Sequence, residues 1–225
     1  MSKPPRISAV VFDMDGLMFD TEALFHRVAA EMLAEHGKEF TSEMMAAMIG
    51  RRAVDAGAAF KHLSGLTGSV EDLMAELKAR FLAILDEAVQ TTPGLFALLA
   101  HLKKLGIPRA VATSSRRDYA ERLIGNHGLL DQFAFLLTAE DVTHGKPEPE
   151  IYLTAAARFG IDPSEVLVLE DSPPGLTAAK RAGTFAVGVP HEHSPATGIS
   201  HADLIIDSLD DPVLLRLLET SGRPG

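Results

Sequence analysis

Short apolar segments recur along the chain and are separated by stretches with helical periodicity. The first of them, residues 7–12 (ISAVVF), is nearly all apolar, as expected for a strand buried on both faces of a parallel sheet. Similar runs follow at residues 109–113, 133–137, 166–169, 184–187 and 203–206. Helical patterns at residues 95–105, 151–159 and 176–182 separate most of these runs. This alternation predicts an α/β fold built on a doubly wound parallel sheet.

Residues 18–91 interrupt the alternation, because they contain helical patterns and no convincing strand pattern. The clearest helix has apolar residues at positions 70, 73, 74, 77, 81, 84 and 85, which is helical spacing. Ser69 and Asp72 predict a capping box at its start. We therefore predict two domains, a sheet-containing domain of residues 1–17 and 92–225 and an inserted helical domain of residues 18–91.

Composition narrows the classes of function. The chain has 225 residues and a net charge of -10, which disfavours nucleic acid as a partner because phosphate binding needs clustered Lys and Arg. It contains no cysteine, so disulfides, thiolate metal sites and a cysteine nucleophile are excluded. It has no apolar run of about 18 residues, and the N-terminal apolar stretch is too short for a signal-peptide core. We expect a cytoplasmic protein that does not bind membranes.

The segment Asp13-Met14-Asp15-Gly16 directly follows the first predicted strand. Ligands of open α/β sheets bind at the carboxyl ends of the strands. Two carboxylates about 4 Å apart there repel each other by roughly 4 kcal/mol at an effective dielectric constant of about 20. A hard cation such as Mg²⁺ removes that penalty. Taken alone, the same residues also fit an ordinary Asp-Gly turn.

Two further polar segments come after the insert. Thr113-Ser114-Ser115 ends the second predicted strand, and hydroxyls and N–H groups at a helix start can bind an anion. Ser115 with Asp118 also fits a capping box. Lys146 precedes two prolines that restrict its loop, and a rigidly placed ammonium suits a phosphoryl oxygen or a carboxylate.

A second pair of carboxylates, Glu170 and Asp171, directly follows the predicted strand at residues 166–169. Ser172 as N-cap and Pro173 at the first helical position predict a helix start immediately afterwards. Together with Asp13, this pair predicts an oxygen-rich metal site at the carboxyl end of the sheet.

In order and context, these segments resemble the four motifs of the haloacid dehalogenase superfamily. They are the strand ending in Asp13-Met14-Asp15-Gly16, the strand ending in Thr113, Lys146-Pro147, and the strand ending in Glu170-Asp171. The resemblance covers essentially the whole chain, and the insert resembles the small helical cap of the β-phosphoglucomutase-like branch. FDMDGLMFDTE, ATSS and HGKPEPEIY are most similar to sugar- and nucleotide-phosphate phosphatases of that branch, including pseudouridine-5'-phosphatase.

The resemblance implies a covalent mechanism with Mg²⁺ as cofactor. Asp13 is expected to attack phosphorus and become an aspartyl phosphate. Asp15 is expected to protonate the leaving oxygen and then to activate water. Mg²⁺ is expected to bind a carboxylate oxygen of Asp13, the backbone carbonyl of Asp15, and Asp171, with Glu170 nearby or acting through water.

The resemblance also implies how substrate is held. Thr113, the Ser114 backbone and Lys146 are expected to bind the phosphoryl oxygens, with Ser115 beside them. The helical insert is expected to select the substrate, and its candidate contacts are Glu22, Arg51 and Arg52. The two arginines also fit the role of exposed cations at a helix end.

Three functions stay open at this point. The favoured one is a phosphatase for a small phosphorylated metabolite, acting as a monomer or weak homodimer. A second is a phosphomutase of the β-phosphoglucomutase type, which carries a cap histidine where this chain has Phe25, with His26 one residue later. A one-residue shift turns a side chain by about 100° around a helix, which disfavours the mutase. The third is a binding protein that kept the fold without activity, which the intact motifs disfavour.

Overall fold

A computed structural model describes residues 5–48, 53–191 and 198–221. The chain divides into two compact units. One comprises Met1–Phe19 and Thr91–Gly225, and the other comprises Asp20–Gln90. These bounds lie within two residues of those of the predicted domains, but whether the inserted unit acts as a cap stays a prediction. None of the helices in the described ranges is both long and apolar enough to cross a membrane.

The inserted unit has helices and no strand among its described residues. It contains α1 (Thr21–Ala34), α2 (Ser42–Met48), α3 (Ala53–Ser64) and α4 (Val70–Ala88). Leu73 and Leu77 of the predicted stripe on α4 lie in one hydrophobic core with Val28, Met32, Leu33 and Phe60. Ser69 is the N-cap of α4, the first half of the predicted capping box, because its side chain accepts a hydrogen bond from the Asp72 amide. The Asp72 carboxylate accepts from the Ser69 hydroxyl at 2.6 Å.

The other unit is built on a parallel sheet, as predicted. Its six strands have the order β3-β2-β1-β4-β5-β6, and each neighbouring pair is parallel. They are β1 (Ala9–Phe12), β2 (Arg109–Ala112), β3 (Leu136–Leu137), β4 (Val166–Glu170), β5 (Phe185–Gly188) and β6 (Leu204–Ile205). The chain winds outward from β1 to β3 and then returns to β4, so the topological switch point lies between β1 and β4.

Helices flank this sheet and bury one apolar face each. They are α5 (Leu95–Leu105), α6 (Arg117–Asn126), α7 (Glu150–Phe159), α8 (Pro173–Arg181) and α9 (Pro212–Ser221). The predicted patterns at residues 95–105, 151–159 and 176–182 correspond to α5, α7 and α8. For α6 only a start near Ser115 was predicted, and α9 was not predicted. Ser172 is the N-cap of α8 and Pro173 its first residue, as predicted. The sheet core includes Val11, Ala112, Leu137, Tyr152 and Val168.

Candidate active site

Parallel pairing brings Asp13 and Asp171 together at the carboxyl ends of β1 and β4. Phe12 pairs with Leu169, and the Asp13 amide donates to the Leu169 carbonyl at 3.0 Å. The next residues, Asp13, Glu170 and Asp171, are all buried. Each offers one carboxylate oxygen, and the three oxygens lie within 4.8 Å of one another. The structure therefore gathers the carboxylates of both strand ends at the switch point.

Lys146 provides the positive charge in this cluster. Its ammonium donates to Asp13 Oδ1, to Glu170 Oε1 at 2.7 Å and to the Ala112 carbonyl at 3.0 Å. Only 5% of the Lys146 side chain is exposed. Burial by itself would lower the pKa of Lys146, but the adjacent Asp13 and Glu170 carboxylates outweigh it and hold that pKa well above its usual value. The ammonium is therefore a fixed cation.

One ammonium does not balance three buried carboxylates. Burial raises the pKa of Asp13 well above its usual value, and Glu170 and Asp171 raise it further while Lys146 opposes them. Burial also raises the pKa of Asp171, with Glu170 adding to the effect and His191 opposing it. A divalent cation would remove this excess of negative charge. A donor set made of carboxylate oxygens fits Mg²⁺.

Glu170 is held on both of its oxygens by groups of the chain itself. Oε1 accepts from Lys146 and from the Tyr152 hydroxyl at 2.6 Å. Oε2 accepts from the Ser172 hydroxyl at 2.9 Å and from the Ser172 amide at 3.2 Å. These bonds satisfy a fully buried carboxylate. A part for Glu170 in metal binding stays a prediction.

Two glycines make room for the carboxylates. A Cβ at Gly175, in the first turn of α8, would lie 1.7 Å from Glu170 Oε1. Gly16 has a φ of +81°, and a Cβ there would lie 2.5 Å from Asp171 Oδ2. Only glycine adopts this positive φ at little cost. Both close approaches therefore require the absence of a side chain.

Asp15 points to hydroxyl groups rather than to Lys146. Its Oδ2 accepts from the Ser115 hydroxyl at 2.6 Å, and its Oδ1 accepts from the Tyr119 hydroxyl at 2.9 Å. Burial, and next the Asp15 carboxylate, raise the pKa of Tyr119 far above its usual value, so this phenol stays a donor. Two aspartates separated by a single residue thus lie in different electrostatic surroundings.

The predicted capping box of Ser115 with Asp118 is wrong. The N-cap of α6 is Arg116, without a side-chain capping bond. The Asp118 carboxylate accepts instead from Arg116 and from the Tyr119 amide. The Ser115 hydroxyl instead donates to Asp15, a contact across 100 residues of sequence that local reasoning does not include.

Thr113 and Ser114 follow β2 beside this region. Thr113 is buried, and its hydroxyl accepts from the Ser115 amide at 3.0 Å. The Ser114 side chain is exposed. The peptide bond between Lys146 and Pro147 is cis. Binding of phosphoryl oxygens by Thr113, Ser114 and Lys146 stays a prediction.

The residues predicted to contact substrate from the insert are not tested by this geometry. Glu22 lies in the first turn of α1, in the helical unit. Arg51 and Arg52 lie outside the described residues. Their part in substrate recognition stays a prediction.

Three residues near the carboxylates were given no role from the sequence. They are Tyr119, Tyr152 and His191, whose Nε2 lies 3.1 Å from Asp171 Oδ2. Tyr119 and Tyr152 lie in the first turns of the helices that follow two of the motifs, and Tyr152 is fully buried. A buried phenol needs a hydrogen-bond partner, so a tyrosine directly after a polar motif was the available signal.

Comparison with known proteins identifies relatives over most of the chain. Residues 10–189 match the family model described as haloacid dehalogenase-like hydrolase. The validoxylamine A 7'-phosphate phosphatase of Streptomyces hygroscopicus subsp. limoneus is 36% identical over 203 residues, 89% of this chain and 93% of that protein. A probable pseudouridine-5'-phosphatase of Drosophila melanogaster is 36% identical over 213 residues, 92% of this chain and 91% of that protein.

A solved structure has a similar fold. It is a HAD family hydrolase from Deinococcus radiodurans R1 with bound phosphate and sodium. Its TM-score is 0.82 at 26% sequence identity, and the match covers 97% of each chain.

The close approach of Gly175 to Glu170 gives a stability prediction. Gly175→Ala should lower the free energy of unfolding by about 1–3 kcal/mol, because the added methyl overpacks a fully buried carboxylate. Gly125→Ala is the matched control, since Gly125 also lies in a helix and its Cβ would meet only the end of Leu130, at 3.3 Å. There the better helix propensity of alanine should keep the change near zero or favourable. Urea denaturation of both variants measures the difference, and equal unfolding free energies would contradict the contact.

Proposed function

The chain belongs to the haloacid dehalogenase-like hydrolase family, and we propose that it is a Mg²⁺-dependent phosphatase that forms an aspartyl phosphate on Asp13. Its substrate would be a small phosphorylated metabolite, a sugar or nucleoside monophosphate. The observation that carries the proposal is the buried cluster at the switch point. Asp13, Glu170 and Asp171 present carboxylate oxygens within 4.8 Å of one another. The Lys146 ammonium forms ion pairs with Asp13 and Glu170.

Phosphate-ester chemistry is supported independently by the relatives. Two proteins are each 36% identical to this chain and match it over about nine-tenths of their own length. Both are named as phosphatases of small phosphorylated molecules. The structural neighbour from Deinococcus radiodurans holds phosphate. The chain is accordingly a phosphoric monoester hydrolase.

In the proposed reaction Asp13 is the nucleophile. A carboxylate oxygen of Asp13 forms a bond to phosphorus while the bond from phosphorus to the leaving oxygen breaks. Lys146, held by Glu170, fixes the Asp13 carboxylate and offers its remaining charge to the phosphoryl group. Thr113 and the Ser114 backbone bind other phosphoryl oxygens. Fixing these donors before substrate arrives removes the cost of reorganising them during the reaction.

Asp15 moves the proton in both steps. It gives a proton to the leaving oxygen in the first step and takes one from the attacking water in the second. Its separation from Lys146 suits this role, since its two partners are neutral hydroxyl groups. Asp13 and Asp15 thus follow the rule that neighbouring carboxylates in different surroundings take different roles.

The acidic cluster would hold the metal. A carboxylate oxygen of Asp13, the Asp15 backbone carbonyl and Asp171 are the proposed ligands, with Glu170 nearby. Bound there, Mg²⁺ would neutralise charge on the transferring phosphoryl group. The helical unit, with Glu22, Arg51 and Arg52, is proposed to select the substrate.

The nucleophile is tested by Asp13→Asn. The amide fills the same space as the carboxylate but cannot attack phosphorus, so phosphate release should fall by about 10³-fold or more. Phosphate release from 4-nitrophenyl phosphate measures the loss, and circular dichroism verifies the fold. A folded Asp13→Asn variant with near-normal turnover would overturn the covalent mechanism.

The metal is tested by chelation. Removing divalent ions with EDTA should abolish phosphate release, and added Mg²⁺ should restore it. Ca²⁺ should bind and support little turnover, because its larger and looser coordination misplaces the reacting groups. Titration of the chelated protein with Mg²⁺ by calorimetry provides a readout independent of activity. Full activity after exhaustive chelation would contradict the assignment of the carboxylate cluster.

The fate of the phosphoryl group separates phosphatase from mutase. Asp15 can serve as base for water or for a sugar hydroxyl, so the core residues do not choose between them. Because Phe25 stands where the mutase pattern has its histidine, we expect steady phosphate release from sugar or nucleoside monophosphates. We expect no conversion of β-glucose 1-phosphate to glucose 6-phosphate, with or without a bisphosphate activator. Isomerisation faster than phosphate release would reverse the assignment.

A further inference from the structure

Two hydroxyl groups from one short segment of the chain hold the Asp15 carboxylate. Ser115 and Tyr119 lie four residues apart, and their hydroxyls donate to the two different oxygens of the Asp15 carboxylate, at 2.6 Å and 2.9 Å. Tyr119 belongs to the first turn of α6. Ala120, Leu123 and Ile124 are buried on the same helix. Their packing fixes α6 and with it the position of the Tyr119 side chain.

We propose that Tyr119 is a positioning residue that orients the Asp15 carboxyl group for proton transfer to the leaving oxygen. This inference rests on the proposed function, in which Asp15 is the general acid. The first step forms the bond from Asp13 to phosphorus and breaks the bond to the leaving oxygen. The Asp15 O–H bond breaks as the new O–H bond of the alcohol forms, which leaves an Asp15 carboxylate.

The Tyr119 contact has two physical consequences for this step. A carboxyl group on a short side chain rotates freely unless both of its oxygens are held, and misplaced proton donors lose much of their effect. In addition, a hydrogen bond to a carboxylate is stronger than one to a neutral carboxyl group. The bond from Tyr119 therefore strengthens as Asp15 gives up its proton, which is stabilisation gained in the transition state.

A comparison of leaving groups isolates this role. An alkyl phosphate such as glycerol 3-phosphate needs its leaving oxygen protonated, whereas 4-nitrophenyl phosphate releases a stable anion. The measured quantity is kcat/KM, because it ends at the first irreversible step and excludes hydrolysis of the aspartyl phosphate. Tyr119→Phe removes only the hydroxyl. We expect kcat/KM to fall about tenfold or more for the alkyl phosphate and about twofold or less for the aryl phosphate.

Tyr152→Phe is the matched control, because the chain has two tyrosines and the other one donates to Glu170. Glu170 and Lys146 act on the phosphoryl side, so Tyr152→Phe should lower kcat/KM for both substrates in equal proportion. Ser115→Ala removes the second donor to Asp15 and should repeat the selective loss, which covers the case of a poorly folded Tyr119→Phe. Thermal unfolding of each variant checks the fold.

The inference is overturned if Tyr119→Phe lowers kcat/KM equally for both substrates, changes it for neither, or raises it for the alkyl phosphate. An equal loss would mean that the phenol only supports the fold. Asp15→Asn separates this inference from the proposed function. If Asp15→Asn lowers kcat/KM for the alkyl phosphate selectively, the acid role stands whatever Tyr119→Phe does. If the wild type releases phosphate from neither substrate, the proposed function fails and this inference fails with it.

Discussion

The buried Lys146 ammonium between Asp13 and Glu170 is the interaction on which the rest of the site depends. Three carboxylates meet at the ends of β1 and β4, and like charges at such distances repel by several kcal/mol even at an effective dielectric constant of about 20. Lys146 offsets part of this repulsion and is itself buried. Removing one partner of such a pair leaves a buried charge uncompensated, which typically costs about 3–5 kcal/mol. The site is therefore built as a unit.

The fold provides the places that this unit needs. Parallel pairing of β1 with β4 sets Asp13 beside Asp171, and the glycines at 16 and 175 allow the carboxylates to approach the backbone. Tyr152 and Ser172 complete the hydrogen bonds of Glu170. What remains is an excess of negative charge, and this excess favours a divalent cation. Stability and proposed chemistry are thus coupled through the same charges.

Much of this arrangement follows from the sequence, because strand ends of a parallel sheet meet at one edge. Asp13 and Asp171 could be placed there from the apolar runs and their order, and Lys146 from its resemblance to a motif of the family. Ser115 could not be assigned, since its hydroxyl suits a helix cap and a distant carboxylate equally well, and only the folded chain brings Asp15 within 2.6 Å. The hydrogen bonds of Tyr119 and Tyr152 also depend on where their helices lie and on the direction in which each side chain points. Arg51 and Arg52 lie outside the described residues, so their role in substrate recognition stays a prediction.

The central claim, a phosphoryl group carried covalently by Asp13, can be tested by trapping it. In Asp15→Asn the first step with 4-nitrophenyl phosphate needs no proton donor, whereas hydrolysis of the aspartyl phosphate lacks its base. Acid quenching in the first turnover, followed by digestion and mass spectrometry, should find one phosphoryl group on the fragment containing Asp13. Release of inorganic phosphate during that first turnover, with the Asp13 fragment unmodified at every quench time, would contradict the account.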